Sequence, residues 1–141
     1  MARKCLTTSL ASSIIFGMMK LFLDDIRNPD FVYGLGANRE WQIARSYDDF
    51  VNAVLAHWSN EGDLPTHISF DHDLGGVDDD GNELEPGSAK TGLDCLKWLI
   101  DLCLDLGYSL PDCSVHSANP VGATNLLALI DNFNLHSHGV R

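Results

Sequence analysis

Positive charge is scarce in this sequence: nine Lys and Arg stand against twenty Asp and Glu, for a formal net charge of −11. A sequence-independent grip on nucleic acid needs cations on successive phosphates, so no extended nucleic-acid surface is expected. A small phosphorylated ligand or a nucleic-acid terminus still fits, provided a metal ion supplies the missing charge. Long hydrophobic runs are also missing. Nothing approaches the roughly 18 apolar residues of a membrane span, and no membrane partner is expected. The four cysteines, Cys5, Cys95, Cys103 and Cys113, form no CxxC pair and have no metal-ligand spacing. Cys95 and Cys103 fall in an apolar helical stretch, which suits buried free thiols and a reducing cytoplasm.

What remains is a globular composition, 45% hydrophobic and 21% charged over 141 residues, enough for one domain with a core. Arg3 and Lys4 followed by a weak apolar stretch to Phe16 loosely resemble a secretory signal. However, no A-x-A signature follows, and the first strand starts directly after Met19. Residues 1–18 are therefore read as an extension, disordered or upstream of the effective start, with the domain spanning 19–134 and a tail over 135–141.

Within that domain strands alternate with helices. Leu21-Phe22-Leu23, Trp41 to Ala44, Ile68-Ser69-Phe70 and Cys113-Ser114-Val115 are the expected strands. Ser46 with Asp49, and Thr91 with Asp94, form capping-box patterns ahead of two helices. The first carries Phe50, Val51, Val54, Leu55 and Trp58 on its inner face, and the second ends at Gly107. Asn119 and Pro120 open a last helix with Leu126, Leu127, Ile130 and Phe133 inward. Asn28 to Glu40 is too rich in Gly and Asn for a regular helix. The order predicts an α/β fold: a three-layer open parallel sheet, receiver-like or flavodoxin-like, with four main strands and a truncated or missing fifth.

Ligands of open parallel sheets bind beyond the carboxyl ends of the strands. Here the first strand ends in Asp24-Asp25, the third in Asp71-His72-Asp73 and the fourth in His116-Ser117. Loop chemistry explains any one of these groups; three together on one rim point to a site. Carboxylates crowded at one rim repel unless a cation offsets them. Asp24, Asp25, Asp71 and Asp73 thus read as ligands of Mg²⁺ or Mn²⁺. His72 and His116 exchange protons near neutral pH and read as general acid and base, in either order. Ser117, Asn119 and Gly122 read as a phosphate cradle at a helix N-terminus, with Gly122 admitting the anion to the backbone. Gly87-Ser88-Ala89-Lys90-Thr91 fails as a P-loop, because Ala89 stands where Gly is required. Asp78 to Glu85 fails as an EF-hand, because Gly87 falls at its twelfth position, and reads as a loop or lid.

The stretches Leu23-Asp24-Asp25-Ile26-Arg27, Asp71-His72-Asp73-Leu74-Gly75, Thr91-Gly92-Leu93-Asp94 and His116-Ser117-Ala118-Asn119-Pro120-Val121-Gly122 resemble the cyclic-phosphate processing receiver domain family. The resemblance runs from about Met19 to Phe133. It implies a divergent relative of two-component receivers acting on cyclic phosphates such as RNA 2′,3′-cyclic ends. It implies that Asp24 and Asp25 correspond to receiver metal ligands, and Asp71 to the residue that ordinary receivers phosphorylate. His72 and His116 then set the family apart. Three functions are carried forward: a metal-dependent phosphoesterase, a receiver-like switch phosphorylated on Asp71, and a module that binds a cyclic nucleotide or phosphate without turnover.

Overall fold

In chain order the computed structural model contains β1 (Lys20–Leu23), α1 (Pro29–Tyr33), a 3₁₀ turn (Ala37–Arg39), β2 (Trp41–Ala44), α2 (Tyr47–Glu61), β3 (His67–Phe70), α3 (Gly92–Leu106), β4 (Asp112–Val115) and α4 (Pro120–Val140). It describes residues 19–74 and 90–140. The extension 1–18, the Gly75-Gly76 pair, the acidic tip 78–85 and residues 87–89 of the P-loop-like stretch lie outside the described residues.

The four strands form one parallel sheet in the order β2-β1-β3-β4, the receiver-like α/β arrangement expected. Among the described residues there is no fifth strand. The chain leaves β1 toward β2 and leaves β3 toward β4, in opposite directions. Their carboxyl ends therefore open a crevice between them, where such sheets bind ligands. Register aligns the ends: Leu23 pairs with both Ala44 and Phe70, and Phe70 pairs with Val115. The ladder then continues one residue further. The backbone N–H groups of Asp24, Asp71 and His116 donate to Ala44, Leu23 and Phe70 at 3.1, 3.0 and 2.9 Å.

Strand alternation divides the core. Leu21, Leu23, Ala44, Ile68 and Phe70 bury one face against Phe50 and Val54 of α2, Cys95, Leu96 and Leu99 of α3, and Leu126 and Ile130 of α4. Each of those large side chains contributes about 1.5–3 kcal/mol of burial. Phe22 and Ser69 point the other way and are also fully buried. Their cover is thin: α1 and its flanks bring Tyr33 onto Trp41, stacked at 5.2 Å, and onto the edge of Phe22. The third layer is thus a five-residue helix and a 3₁₀ turn, in the segment judged unsuited to a regular helix.

Both expected caps form. Thr91 and Asp94 make a complete capping box. Ser46 accepts from Asp49, whereas the Asp49 carboxylate reaches the N–H of Arg45 rather than that of Ser46. Gly107 takes the left-handed conformation at φ 73°. Two inward positions need correction: Leu55 is 38% and Leu127 is 47% exposed. Each lies one residue, about 100°, beyond the axis set by Phe50, Ala53 and Val54, or by Leu126 and Ile130. The last helix, α4, continues through Val140, into the residues read as a tail. No proline interrupts it after Pro120. Cys95 and Cys103 are buried free thiols, and burial pushes Cys103 up to about 11.

Candidate functional site

Asp24, Asp25 and Asp71 meet where β1 and β3 end. Each offers a carboxylate oxygen, and these atoms lie within 4.8 Å of one another. Together with Asp73 they line a cleft of about 480 Å³ that Ile26, Arg27, Phe31 and Ala118 complete. Asp24, Asp25, Asp71 and Asp73 were all expected at this rim, but their surroundings differ.

Asp24 is a hub. Its Oδ1 accepts from the N–H groups of Ile26 and Arg27 at 2.9 and 2.8 Å. Its Oδ2 accepts from Arg27 Nε at 2.8 Å and meets His116 Nε2 at 3.0 Å. Burial alone would raise this carboxyl, but the two N–H groups, the guanidinium and the imidazole together hold it below its usual range. Asp71 and Asp25 shift the other way, raised by burial and then by the charge of Asp24. Arg27 offsets part of this crowding, since its Nη2 lies 3.3 Å from Asp71 Oδ1. Oxygen donors so arranged fit a hard divalent cation. Three N–H donors and the His116 ring already occupy Asp24, so Asp25 and Asp71 offer the freer carboxylate oxygens to a cation. Asp73 is 66% exposed and turns aside, to His72 Nδ1 at 2.9 Å and Asn119 Nδ2 at 3.3 Å.

The two histidines part company. His116 has a side chain only 3% exposed, stacked on Phe22 at 4.4 Å. Both its nitrogens are engaged, Nε2 by Asp24 and Nδ1 by Ser69 at 2.7 Å. Burial lowers its affinity for a proton against the opposing pull of Asp24. His116, expected as an acid or base on the ligand, thus stands behind Asp24, because its strand delivers it to the Phe22 side of the sheet. His72 keeps that possibility. Its ring rests against α4, where a Cβ on Gly122 would lie 2.4 Å from His72 Cγ. Asp73 holds its Nδ1, so exchange with a ligand falls to Nε2.

The expected phosphate cradle is satisfied from within. Asn119 Oδ1 accepts from Gly122 N–H at 3.0 Å, and Ser117 Oγ accepts from Asn119 N–H at 3.0 Å. The space beside Gly122 holds the His72 ring. Sequence reasoning assigned no role to several residues that the site depends on. Arg27 is the one cation within the first acidic motif. Arg45 Nη1 donates to the carbonyls of Asp24 and Arg27 at 3.1 and 2.7 Å, bracing the loop that carries Asp25. Ser69 and Tyr33 hold His116 from the far side. A polar residue inside the apolar run Ile68-Ser69-Phe70 was the available signal for the first of these.

Residues 19–132 match the family model described as the cyclic-phosphate processing receiver domain. No curated protein and no solved structure matches the chain. Among the described residues, no helix is long and apolar enough to cross a membrane.

Proposed function

The chain belongs to the cyclic-phosphate processing receiver domain family, and from that premise we propose that it is a phosphoesterase that opens a cyclic phosphate, such as an RNA 2′,3′-cyclic end, with the help of Mg²⁺ or Mn²⁺. The convergence of Asp24, Asp25 and Asp71 within 4.8 Å carries this reading. Asp25 and Asp71 would hold the cation, and Asp24 would set its charge environment. A bound divalent ion supplies Lewis-acid polarisation of the phosphoryl oxygens and a lowered pKa for coordinated water.

The chain's own groups do the rest. His72, oriented by Asp73, gives or takes the proton at the scissile P–O bond through Nε2. Arg27 lies between Asp24 and Asp71 with its side chain 26% exposed, and its guanidinium would turn to a phosphate oxygen once a cation takes over Asp71. Ile26 and Phe31 are 78% and 75% exposed beside the acids. They offer an apolar surface for the organic part of the ligand, such as a nucleobase.

The test incubates the full chain and Mn²⁺ with 2′,3′-cyclic and 3′,5′-cyclic nucleotides and follows products by phosphorus NMR. Ring opening that is lost in Asp71→Asn supports the reading. Binding without turnover would favour a capture module, and a lasting acyl phosphate on Asp71 from acetyl phosphate would favour a signalling switch.

A further inference from the structure

Behind the acid cluster a hydrogen-bond chain crosses the thinly covered face of the sheet. His116 Nδ1 meets Ser69 Oγ at 2.7 Å, and Ser69 Oγ meets the Tyr33 hydroxyl at 2.6 Å. That hydroxyl meets Ser114 Oγ at 3.2 Å, and Ser114 Oγ meets His67 Nε2 at 3.0 Å. With Asp24 at one end and His67 at the other, the chain spans the full length of β3. The sheet does not need these groups. Ser69 is fully buried in mid-strand, where an apolar side chain would avoid the cost of burying a hydroxyl.

The direction of every bond follows from counting protons. Asp24 already receives three obligate donors, from Ile26, Arg27 N–H and Arg27 Nε, so it meets His116 as a carboxylate acceptor. His116 must then donate from Nε2. A buried ring stacked on Phe22 favours the neutral form, which leaves Nδ1 as an acceptor. Ser69 therefore spends its single proton on Nδ1 and must accept from Tyr33. Tyr33 in turn accepts from Ser114, and Ser114 from His67. All five bonds point toward Asp24.

We propose that Ser69, oriented by Tyr33, is a positioning residue of the acid cluster: Asp24 sets the Nε2–H tautomer of His116, and the Ser69 hydroxyl on Nδ1 fixes the ring so that this proton points at the carboxylate. Without the Ser69 hydroxyl, the buried Nδ1 lone pair is left unsatisfied and the ring loses its anchor opposite Asp24, loosening the hub that braces the cluster. This deepens the phosphoesterase reading in that Asp24 belongs to the same site, yet it is read without turnover.

The experiment uses the uniformly ¹⁵N-labelled full chain at neutral pH, with long-range proton–nitrogen correlation of the histidine rings. Wild type is expected to show His116 as the single Nε2–H tautomer. Ser69→Ala is expected to keep that tautomer, to move the Nδ1 resonance to that of an unbonded lone pair and to speed exchange of the Nε2 proton with water, and Tyr33→Phe to do the same to a smaller extent, with backbone amide spectra otherwise preserved. A wild-type His116 protonated on Nδ1, or an unchanged Nδ1 resonance with unchanged Nε2 proton exchange in Ser69→Ala, would overturn the proposal. A failed phosphoesterase assay leaves the histidine result standing, and a failed histidine result leaves the assay standing.

Discussion

Gly92 packs on the end of β3 at Asp71: a Cβ added at Gly92 would lie 1.8 Å from the Asp71 carbonyl oxygen. The Gly92 N–H also donates to the His72 carbonyl at 2.7 Å, so the first turn of α3 clamps the turn that carries both residues. Backbone cannot give way as a flexible side chain can. Gly92→Ala is expected to cost about 1–3 kcal/mol, read as a lower urea midpoint, and to move the Asp71 and His72 resonances. A wild-type midpoint would show that the clamp is soft.

The acids respond to pH in opposite directions. Asp71 is raised above 3.8 by burial and by the charge of Asp24. A pKa raised on folding contributes stability that is present at low pH and lost as pH rises through the folded value. Asp24 is lowered, so its contribution is present at neutral pH and lost as pH falls through its folded value. Without added metal at neutral pH, Asp71→Asn should therefore gain about 1 kcal/mol, and Asp24→Asn should lose more than that. Both differences should shrink toward pH 3.5 in thermal melts. Equal effects of the same sign at neutral pH would contradict the hub assigned to Asp24.

The rim was legible in the sequence because register and alternation carry it there. Each short apolar run ends in its polar residues, and parallel pairing puts Asp24, Asp71 and His116 at one level. Side-chain direction was not legible. His116 and His72 both follow strands, yet one turns toward Phe22 and the other onto Gly122. Partners such as Arg45 and Tyr33 are distant in sequence from the acids and histidine they support, and only the folded chain brings them together. The internal bonding of the expected anion cradle was not legible either, since Asn119 Oδ1 accepts from Gly122 N–H within the folded turn.

Metal binding should follow the two acids that the hub leaves available. Mn²⁺ or Mg²⁺ at a hundred times its dissociation constant should stabilise the fold by about 2.7 kcal/mol, since only the folded chain assembles the ligands. Asp25→Asn or Asp71→Asn should each abolish the rise in Tm. Asp73→Asn, whose carboxylate faces His72 and Asn119, should retain most of it. Loss in Asp73→Asn with retention in Asp25→Asn would reverse the assignment.

The two histidines give the sharpest separation of structure from chemistry. His116 is enclosed by Phe22, Asp24 and Ser69. Truncating it empties a packed site and strands a buried carboxylate and a hydroxyl, so His116→Ala should cost about 2–4 kcal/mol of stability. His72 has a side chain 17% exposed, its ring against Gly122 and its Nδ1 held by the exposed Asp73, so its loss removes packing but strands no buried charge. Should cyclic-phosphate opening depend on its Nε2, His72→Ala would lose about two to four orders of magnitude in kcat with a smaller fall in stability than His116→Ala. The pH–rate profile would lose one limb, and Asp73→Asn would fall between that variant and wild type, because it frees the ring without removing it. Paired urea denaturation and steady-state kinetics on both variants read the two effects separately. A His72→Ala variant with wild-type turnover, beside a stable His116→Ala variant that has none, would return the proton-transfer role to His116.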